Sequence, residues 1–114
     1  MNSPSSREHA VHELVQFCDS RLFKSLAEPV RVEILGFLIL NGRSDIASIA
    51  AAFTQDRSVI SRHLNTLADA GILRAEKQAR HIFYELDGNA LLGKFEHLTG
   101  QIRECMQVCC PPKQ

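Results

Sequence analysis

The sequence predicts a mainly α-helical fold with one small β-hairpin, and three observations support this. Apolar residues recur every three or four positions along most of the chain, which is the period of one helix face. Between residues 72 and 86 the period changes to two, which indicates two strands. The chain has 114 residues, of which 45% are hydrophobic and 23% charged, so it is long enough and apolar enough for one domain with a modest core.

Residues that start and stop helices set the predicted boundaries. Pro29 suits a first helical position, where its missing N–H costs nothing, and Gly42 and Gly71 end the helices before them. Ser44 and Asp56 are expected to be N-caps. The predicted helices are 7–19, 22–27, 29–41, 44–53, 57–70 and 89–108, and the predicted strands are 72–76 and 80–86, joined near 77–79.

The organisation and charge of the chain narrow the function classes. One domain is expected over residues 7–110, with flexible tails at 1–6 and 111–114. Neither a membrane span nor a secretory signal is visible, so a cytoplasmic protein with no membrane contact is expected. Lys plus Arg and Asp plus Glu are both 13, which excludes a general basic coat. Any contact with DNA must therefore use a local positive patch.

Residues 44–88 follow the order short helix, turn, second helix and hairpin, which is the plan of a winged helix-turn-helix. A helix fits the major groove of B-DNA, and polar side chains near its N-terminus reach base edges and phosphates. The hairpin tip adds polar and basic side chains for the DNA backbone. The expected DNA-binding residues are Arg57, Ser58, Val59, Ser61, Arg62 and Asn65 on the second helix, and Lys77, Gln78 and Arg80 on the hairpin.

Three segments resemble the ArsR/SmtB family of winged-helix, metal-responsive repressors. Residues 26–35, LAEPVRVEIL, resemble the family pattern LAxPxRxxIL, and residues 61–73, SRHLNTLADAGIL, are similar to its SxHLxxLxxAGL segment. Residues 80–87, RHIFYELD, resemble its RxxxYxL wing strand. The resemblance covers about residues 22–87. It implies a homodimeric repressor that binds operator DNA and loses affinity for it when an inducer binds.

The chain departs from the family pattern at three places. Gln55 stands where family members often have leucine, and Ala79 stands where they often have a wing glycine. The family's arsenic-type CxC motif belongs in the first helix of the reading element, but residues 44–53 contain neither cysteine nor histidine. An inducer site must therefore lie elsewhere in the chain.

Cysteines of the terminal helices are the candidates for that site. Cys105 and Cys109 share one helix face, and Cys110 precedes Pro111, which frees the helix end to unwind. Cys18 lies on the apolar stripe of the first helix, and in the family the first and last helices build the dimer interface. Soft thiolate ligands favour a thiophilic inducer, above all trivalent arsenic or antimony. The stripe of the last helix is Leu91, Phe95, Leu98, Ile102, Cys105 and Cys109.

Other interpretations stay open. The cysteines on that stripe also suit the role of small core hydrophobes. Oxidation or persulfide formation, with Cys18 paired to a C-terminal cysteine, would make the protein a redox sensor with no metal. A zinc or cadmium sensor would use His9, His12 and His97, although the family's paired Asp/His ligands are missing from the last helix. A plain interaction module is a further alternative. An enzyme is not expected, because no base stands beside a cysteine and no nucleotide motif is present.

Overall fold

The computed structural model describes residues 4–18 and 20–109, which fall into two compact units. One unit is Arg21–Leu91, and the other joins the N-terminal helix to the chain from Leu92 onward. The single domain expected over residues 7–110 stays a prediction. The elements are α1 (Pro4–Cys18), α2 (Arg21–Leu26), α3 (Pro29–Asn41), β1 (Ser44–Asp45), α4 (Ile46–Ala51), α5 (Arg57–Asp69), β2 (Leu73–Gln78), β3 (His81–Leu86) and α6 (Gly88–Cys109).

The starts of α1 and α4 differ from the sequence expectation, and the start of α5 agrees with it. Helix α1 begins at Pro4, so residues 4–6, expected in a flexible tail, belong to a helix whose first turn tolerates proline. The N-cap of α4 is Asp45 rather than Ser44, because Asp45 Oδ1 accepts the Ser48 N–H at 2.9 Å. Ser44 instead pairs with Tyr84 in the short strand β1. Asp56 does occupy the N-cap of α5, but its side chain makes no capping hydrogen bond.

The three strands form one antiparallel sheet in the order β1–β3–β2. In the hairpin, Leu73 is paired with Leu86 and Gln78 with His81, so the turn contains only Ala79 and Arg80. The predicted join at 77–79 is therefore displaced toward the C-terminus, because strand pairing extends through Gln78. Ala79 adopts φ of 53°, a left-handed conformation that favours glycine.

The core of the Arg21–Leu91 unit lies around α5. Its apolar residues come from α2, α3, α4, α5, the turn after α5 and the sheet, and all of them are less than a tenth exposed. This close packing holds α5 in one position, because close-packed interiors deform little. The buried residues are Leu22, Ile34, Leu35, Leu38, Ile49, Ile60, Leu64, Leu67, Ala70, Ile72, Leu73 and Tyr84.

The other unit pairs α1 with α6 in antiparallel directions. Arg7 Nη2 donates to the Val108 carbonyl at 2.6 Å, and the rings of Phe17 and His97 lie 5.6 Å apart. Along the predicted stripe of α6 the exposure varies: Cys105 is buried, whereas Phe95 and Ile102 are exposed. None of the helices in the described part of the chain has the length and apolarity needed to cross a membrane.

Candidate nucleic-acid interface and inducer site

Helix α5 presents one polar face to solvent. Ser58, Arg62 and Asn65 are exposed and follow the helical spacing of four and three residues. Ile60 and Leu64, with Leu67, have the same spacing on the buried face. The amphipathic pattern therefore turns Ser58, Arg62 and Asn65 away from the core, and we call these three residues the reading face.

Two other predicted residues of α5 lie beside the reading face. Val59 and Ser61 are only half-buried, so they flank the exposed face instead of forming its centre. Arg57, the first residue of α5, is exposed. The structure thus supports an outward position for Arg57 and narrows the centre of the face to three polar side chains.

The predicted DNA-binding residues of the hairpin are exposed to solvent. Lys77, Gln78 and Arg80 are all exposed. Arg80 and Arg57 line one cleft of about 130 Å³ beside the N-terminal end of α4. Residues predicted from separate elements therefore meet at one place, where two guanidinium groups can attract a phosphate.

A contact that sequence reasoning missed joins the hairpin to the start of α4. His81 Nδ1 lies 3.4 Å from Asp45 Oδ2, at the edge of the same cleft. The hydrogen bonds from Ser48 hold the pKa of Asp45 below its usual value, and the nearby His81 and Arg57 add to this effect. Asp45 therefore stays ionised, caps α4 and contacts the hairpin at His81, the residue that follows its turn.

A second missed contact ties the sheet to α5. The Tyr84 hydroxyl donates to Oδ1 of Asn65 at 3.2 Å, and burial raises the pKa of the tyrosine above its usual value. Tyr84 itself is 2% exposed. Its place in a strand with a sequence period of two is visible in the sequence, but its partner on α5 is not, because nothing in the sequence pairs residues 19 positions apart.

The terminal cysteines occupy different environments. Cys105 is buried and its Sγ lies 3.4 Å from the Ala10 carbonyl of α1. Cys109 is exposed, and its Sγ lies 2.7 Å from the Cys105 carbonyl. Cys110, the third sulfur of the predicted set, lies outside the described residues. Two of the three predicted sulfurs thus lie one helical turn apart on α6.

Cys18 is not brought to Cys105 or Cys109 within this chain. It ends α1, one residue after Phe17, which contacts His97. Because α6 rises about 1.5 Å per residue, the twelve residues from His97 to Cys109 separate Cys18 from Cys109 by roughly 18 Å. Within residues 4–18 and 20–109, no three His, Cys, Asp or Glu side chains are grouped closely enough to hold a metal ion.

The histidines of the zinc interpretation are dispersed along the same unit. His9 faces Glu13 on its own helix, with Nε2 3.9 Å from Oε1, and His97 stacks on Phe17. His12 is exposed. The described contacts therefore give His9 and His97 separate partners and do not bring the three histidines together.

Comparison with known proteins identifies the family. A family model described as bacterial regulatory protein, arsR family, matches residues 28–75. The crystal structure of the antimony-specific transcriptional repressor AntR is 31% identical, with a TM-score of 0.56 over 85% of this chain and 83% of that one. The chain belongs to the arsR family of bacterial regulatory proteins. This ArsR-family member is a transcriptional repressor with a winged helix-turn-helix DNA-binding domain, and it is not an enzyme.

Two further relatives extend the comparison. The arsenical resistance operon repressor of Bacillus subtilis is 28% identical over 88 residues, which are 77% of this chain and 75% of the relative. A homodimeric winged helix-turn-helix DNA-binding domain from Mycobacterium bovis, solved in solution, is 25% identical with a TM-score of 0.61. That match covers 91% of this chain and 92% of the other.

Proposed function

We propose that this ArsR-family repressor is a homodimer that binds operator DNA with α5 and the hairpin, and releases it when trivalent arsenic or antimony binds to C-terminal cysteines. The reading face carries the DNA-binding part of the proposal, since a rigidly packed helix offers Ser58, Arg62 and Asn65 to solvent. Arg62 can donate two hydrogen bonds to a guanine edge, and Asn65 or Ser58 can bond to a base or a phosphate.

Cations beside the reading face supply the sequence-independent part of DNA binding. Arg57 and Arg80 share a cleft, and Lys77 is exposed on β2 next to the hairpin turn. Each cation that neutralises a phosphate releases counterions and strengthens binding to every sequence. Gln78, with Val59 and Ser61 on the flanks of α5, completes the proposed contact set.

Exposed apolar residues on α1 and α6 favour a homodimer. Val11 and Val15 are at least half exposed on α1, one turn apart. On α6, Leu92, Ile102 and Met106 are exposed as well. A lone subunit would leave these side chains in water, and the Mycobacterium bovis relative is homodimeric. Sedimentation should show a dimer at micromolar concentration, and a stable monomer would contradict this part of the proposal.

The inducer part of the proposal follows from the thiols of α6. Cys109 is exposed and accessible to an ion, whereas Cys105 Sγ must leave the Ala10 carbonyl before it can bind one. Cys110 is the third proposed ligand, and Cys18 of a second subunit is a further candidate, since Cys18 lies far from Cys109 of its own chain. Soft thiolates select soft ions such as trivalent arsenic and antimony, and two relatives are arsenical and antimony repressors.

Release requires that the inducer binds the DNA-free conformation more tightly than the DNA-bound one. Withdrawal of Cys105 Sγ from α1 would disturb the packing between α1 and α6, which are the helices of the proposed dimer interface. A dimer must place its two reading helices about 34–36 Å apart to match successive major grooves. A change in that interface therefore changes the spacing, and operator affinity falls.

The experiment that tests this function is a gel-shift assay on an operator selected from random-sequence DNA. Arsenite, antimonite, cadmium, zinc and hydrogen peroxide are titrated against the same complex. We expect release by arsenite and antimonite at the lowest concentrations. Release by peroxide alone would replace the metalloid with thiol oxidation, release by zinc or cadmium alone would favour a divalent sensor, and failure to select any DNA would overturn DNA binding itself.

A further inference from the structure

The side chain of Arg31 on α3 connects three helices of the Arg21–Leu91 unit. Its Nε donates to Nδ1 of His63 on α5 at 3.1 Å. Its Nη1 donates to the carbonyls of Lys24 and Ser25 on α2, both at 3.2 Å. Carbonyls in the last turn of a helix have no partner within it, so the guanidinium satisfies two of them while it holds α5. We call the bond between Arg31 and His63 the tether.

The chemistry of arginine fixes the protonation state of the tether. A guanidinium nitrogen can only donate a hydrogen bond, so Nδ1 of His63 must accept with its lone pair. A neutral imidazole that accepts at Nδ1 carries its proton on Nε2. If Nδ1 were protonated, Arg31 and His63 would face each other with two hydrogen-bond donors and two positive charges. The tether therefore exists only while His63 is neutral.

Charged groups around His63 favour the neutral form. From α3 and its N-cap come Arg31 and Glu28, and from α5 comes Arg62. Burial of the imidazole and the positive charge of Arg31 hold the pKa of His63 below its usual value, and Glu28 opposes them. A cavity of about 450 Å³ beside Arg31 has Arg21 and Lys24 on its α2 wall, and Thr66 and Asp69 on its α5 wall.

We infer that His63 is a positioning residue for DNA binding: through the tether it fixes α5 against α2 and α3, and its protonation releases this hold and weakens operator binding. The inference rests on the proposed reading role of α5. His63 is about 100° from Arg62 and about 160° from Asn65 around the helix axis, so it does not belong to the reading face. The positive charge that His63 gains on protonation therefore lies away from the DNA. Operator affinity then depends on the loss of the tether.

The direction with pH follows from the lowered pKa of His63. The tether is complete above the pKa of about 6.5 of a free histidine and is lost as the pH falls through the lower value in the folded protein. Operator affinity should accordingly be constant near neutral pH and fall on acidification.

The first arm of the test needs no DNA, so its result is independent of the proposed function. Nitrogen NMR shifts of the imidazole in the wild-type protein at pH 7.5 should show the Nε2–H tautomer, with a titration midpoint below 6.5. In an Arg31→Lys variant, which keeps the charge but loses the guanidinium fork, the tautomer preference should weaken. A proton on Nδ1 at pH 7.5 in the wild type would overturn the tether.

The second arm measures operator affinity at pH 7.5 and pH 5.5 in 150 mM salt. His63→Asn keeps an acceptor near the position of Nδ1 and does not titrate, so it should bind as the wild type does at pH 7.5 and lose less on acidification. His63→Leu should bind about fivefold more weakly at pH 7.5, the ratio that one lost hydrogen bond corresponds to. His12→Asn, on α1, is the matched control and should keep the wild-type pH profile.

Two results of the second arm would overturn the inference. One is a His63→Asn variant whose affinity falls with acid as steeply as that of the wild type. The other is a His63→Leu variant that is folded, by its thermal transition, and binds the operator at wild-type affinity. If no variant and no wild type binds DNA, the proposed function fails, while the tautomer result of the first arm still stands.

Discussion

The hydroxyl of Tyr84 on β3 donates a hydrogen bond of 3.2 Å to Oδ1 of Asn65 on α5. Tyr84 is buried, whereas Asn65 is exposed on the reading face. One end of this bond thus lies in the core and the other at the surface proposed to meet DNA. The bond leaves the Asn65 amide nitrogen free to donate outward and holds it in one orientation, so the hairpin and the reading helix are coupled through a fixed side chain.

Removal of the hydroxyl tests this coupling. Tyr84→Phe keeps the buried ring and should lower the free energy of unfolding by about 1 kcal/mol, since one largely buried hydrogen bond is lost. Urea unfolding measures the change. Thr66→Val is the matched control, because among the described residues the Thr66 hydroxyl bonds to the Arg62 carbonyl of its own helix. Equal stability for Tyr84→Phe and wild type would show that the bond contributes nothing.

Two cations should differ in what they do for DNA binding. Arg62→Ala should weaken binding to the operator by about 1–3 kcal/mol and relax base preference at one position, if Arg62 contacts a base edge. Lys77→Ala should weaken binding to all sequences and reduce the salt dependence of the logarithm of the affinity by about one unit. Fluorescence anisotropy at several salt concentrations separates the two effects. Arg103→Ala, exposed on α6, is the control. Unchanged affinity in both test variants would show that the DNA interface lies elsewhere.

The helix-turn-helix could be predicted from sequence because its signals are local. Apolar spacing of three and four residues identified Ile60, Leu64 and Leu67 as the buried side of α5, and the structure buries all three completely. The exposed side then followed from the same period. The tether of Arg31 to His63 could not be predicted this way, because it joins residues 32 positions apart whose meeting depends on how three helices pack.

The hairpin turn carries a strained residue. Ala79 adopts φ of 53°, which costs a residue with a Cβ about 1–2 kcal/mol. Ala79→Gly should therefore raise the free energy of unfolding by about 0.5–1 kcal/mol, after the greater flexibility of glycine in the unfolded chain is counted. Ala75→Gly, in the middle of β2, is the matched control and should lower stability instead. Denaturation of both variants checks the sign, and a destabilised Ala79→Gly would contradict the turn conformation.

Replacement of a buried amide on α6 by an apolar side chain should raise the stability of the protein. Gln101 is 7% exposed and its Oε1 has no hydrogen-bond partner among the described residues. Gln101→Met keeps the length of the side chain and removes the unpaired acceptor, so it should raise the free energy of unfolding by about 1 kcal/mol. Gln107→Met, exposed on the same helix, should change stability by less than about 0.5 kcal/mol. A less stable Gln101→Met variant would mean that the amide is hydrogen-bonded in solution.

The cysteine positions show where sequence reasoning stops. Spacing correctly put Cys105 and Cys109 one turn apart on one stripe, yet it could not give their exposure. The structure buries Cys105 against the Ala10 carbonyl of α1 and exposes Cys109, one turn nearer the C-terminal end of α6. Spacing also could not show that α1 and α6 run antiparallel, which separates Cys18 from Cys109 of its own chain.

The most direct test of the account is arsenite release of the operator from a Cys109→Ser, Cys110→Ser double variant. Both substitutions keep side-chain size and leave the reading face untouched, so operator affinity without arsenite should equal that of the wild type. Gln107→Ser, an exposed position without a thiol on the same helix, is the control and should release DNA at the wild-type arsenite concentration. The account predicts that the double variant keeps its DNA at every arsenite concentration that empties the wild-type complex. Release of the double variant at the wild-type concentration would contradict the proposed inducer site.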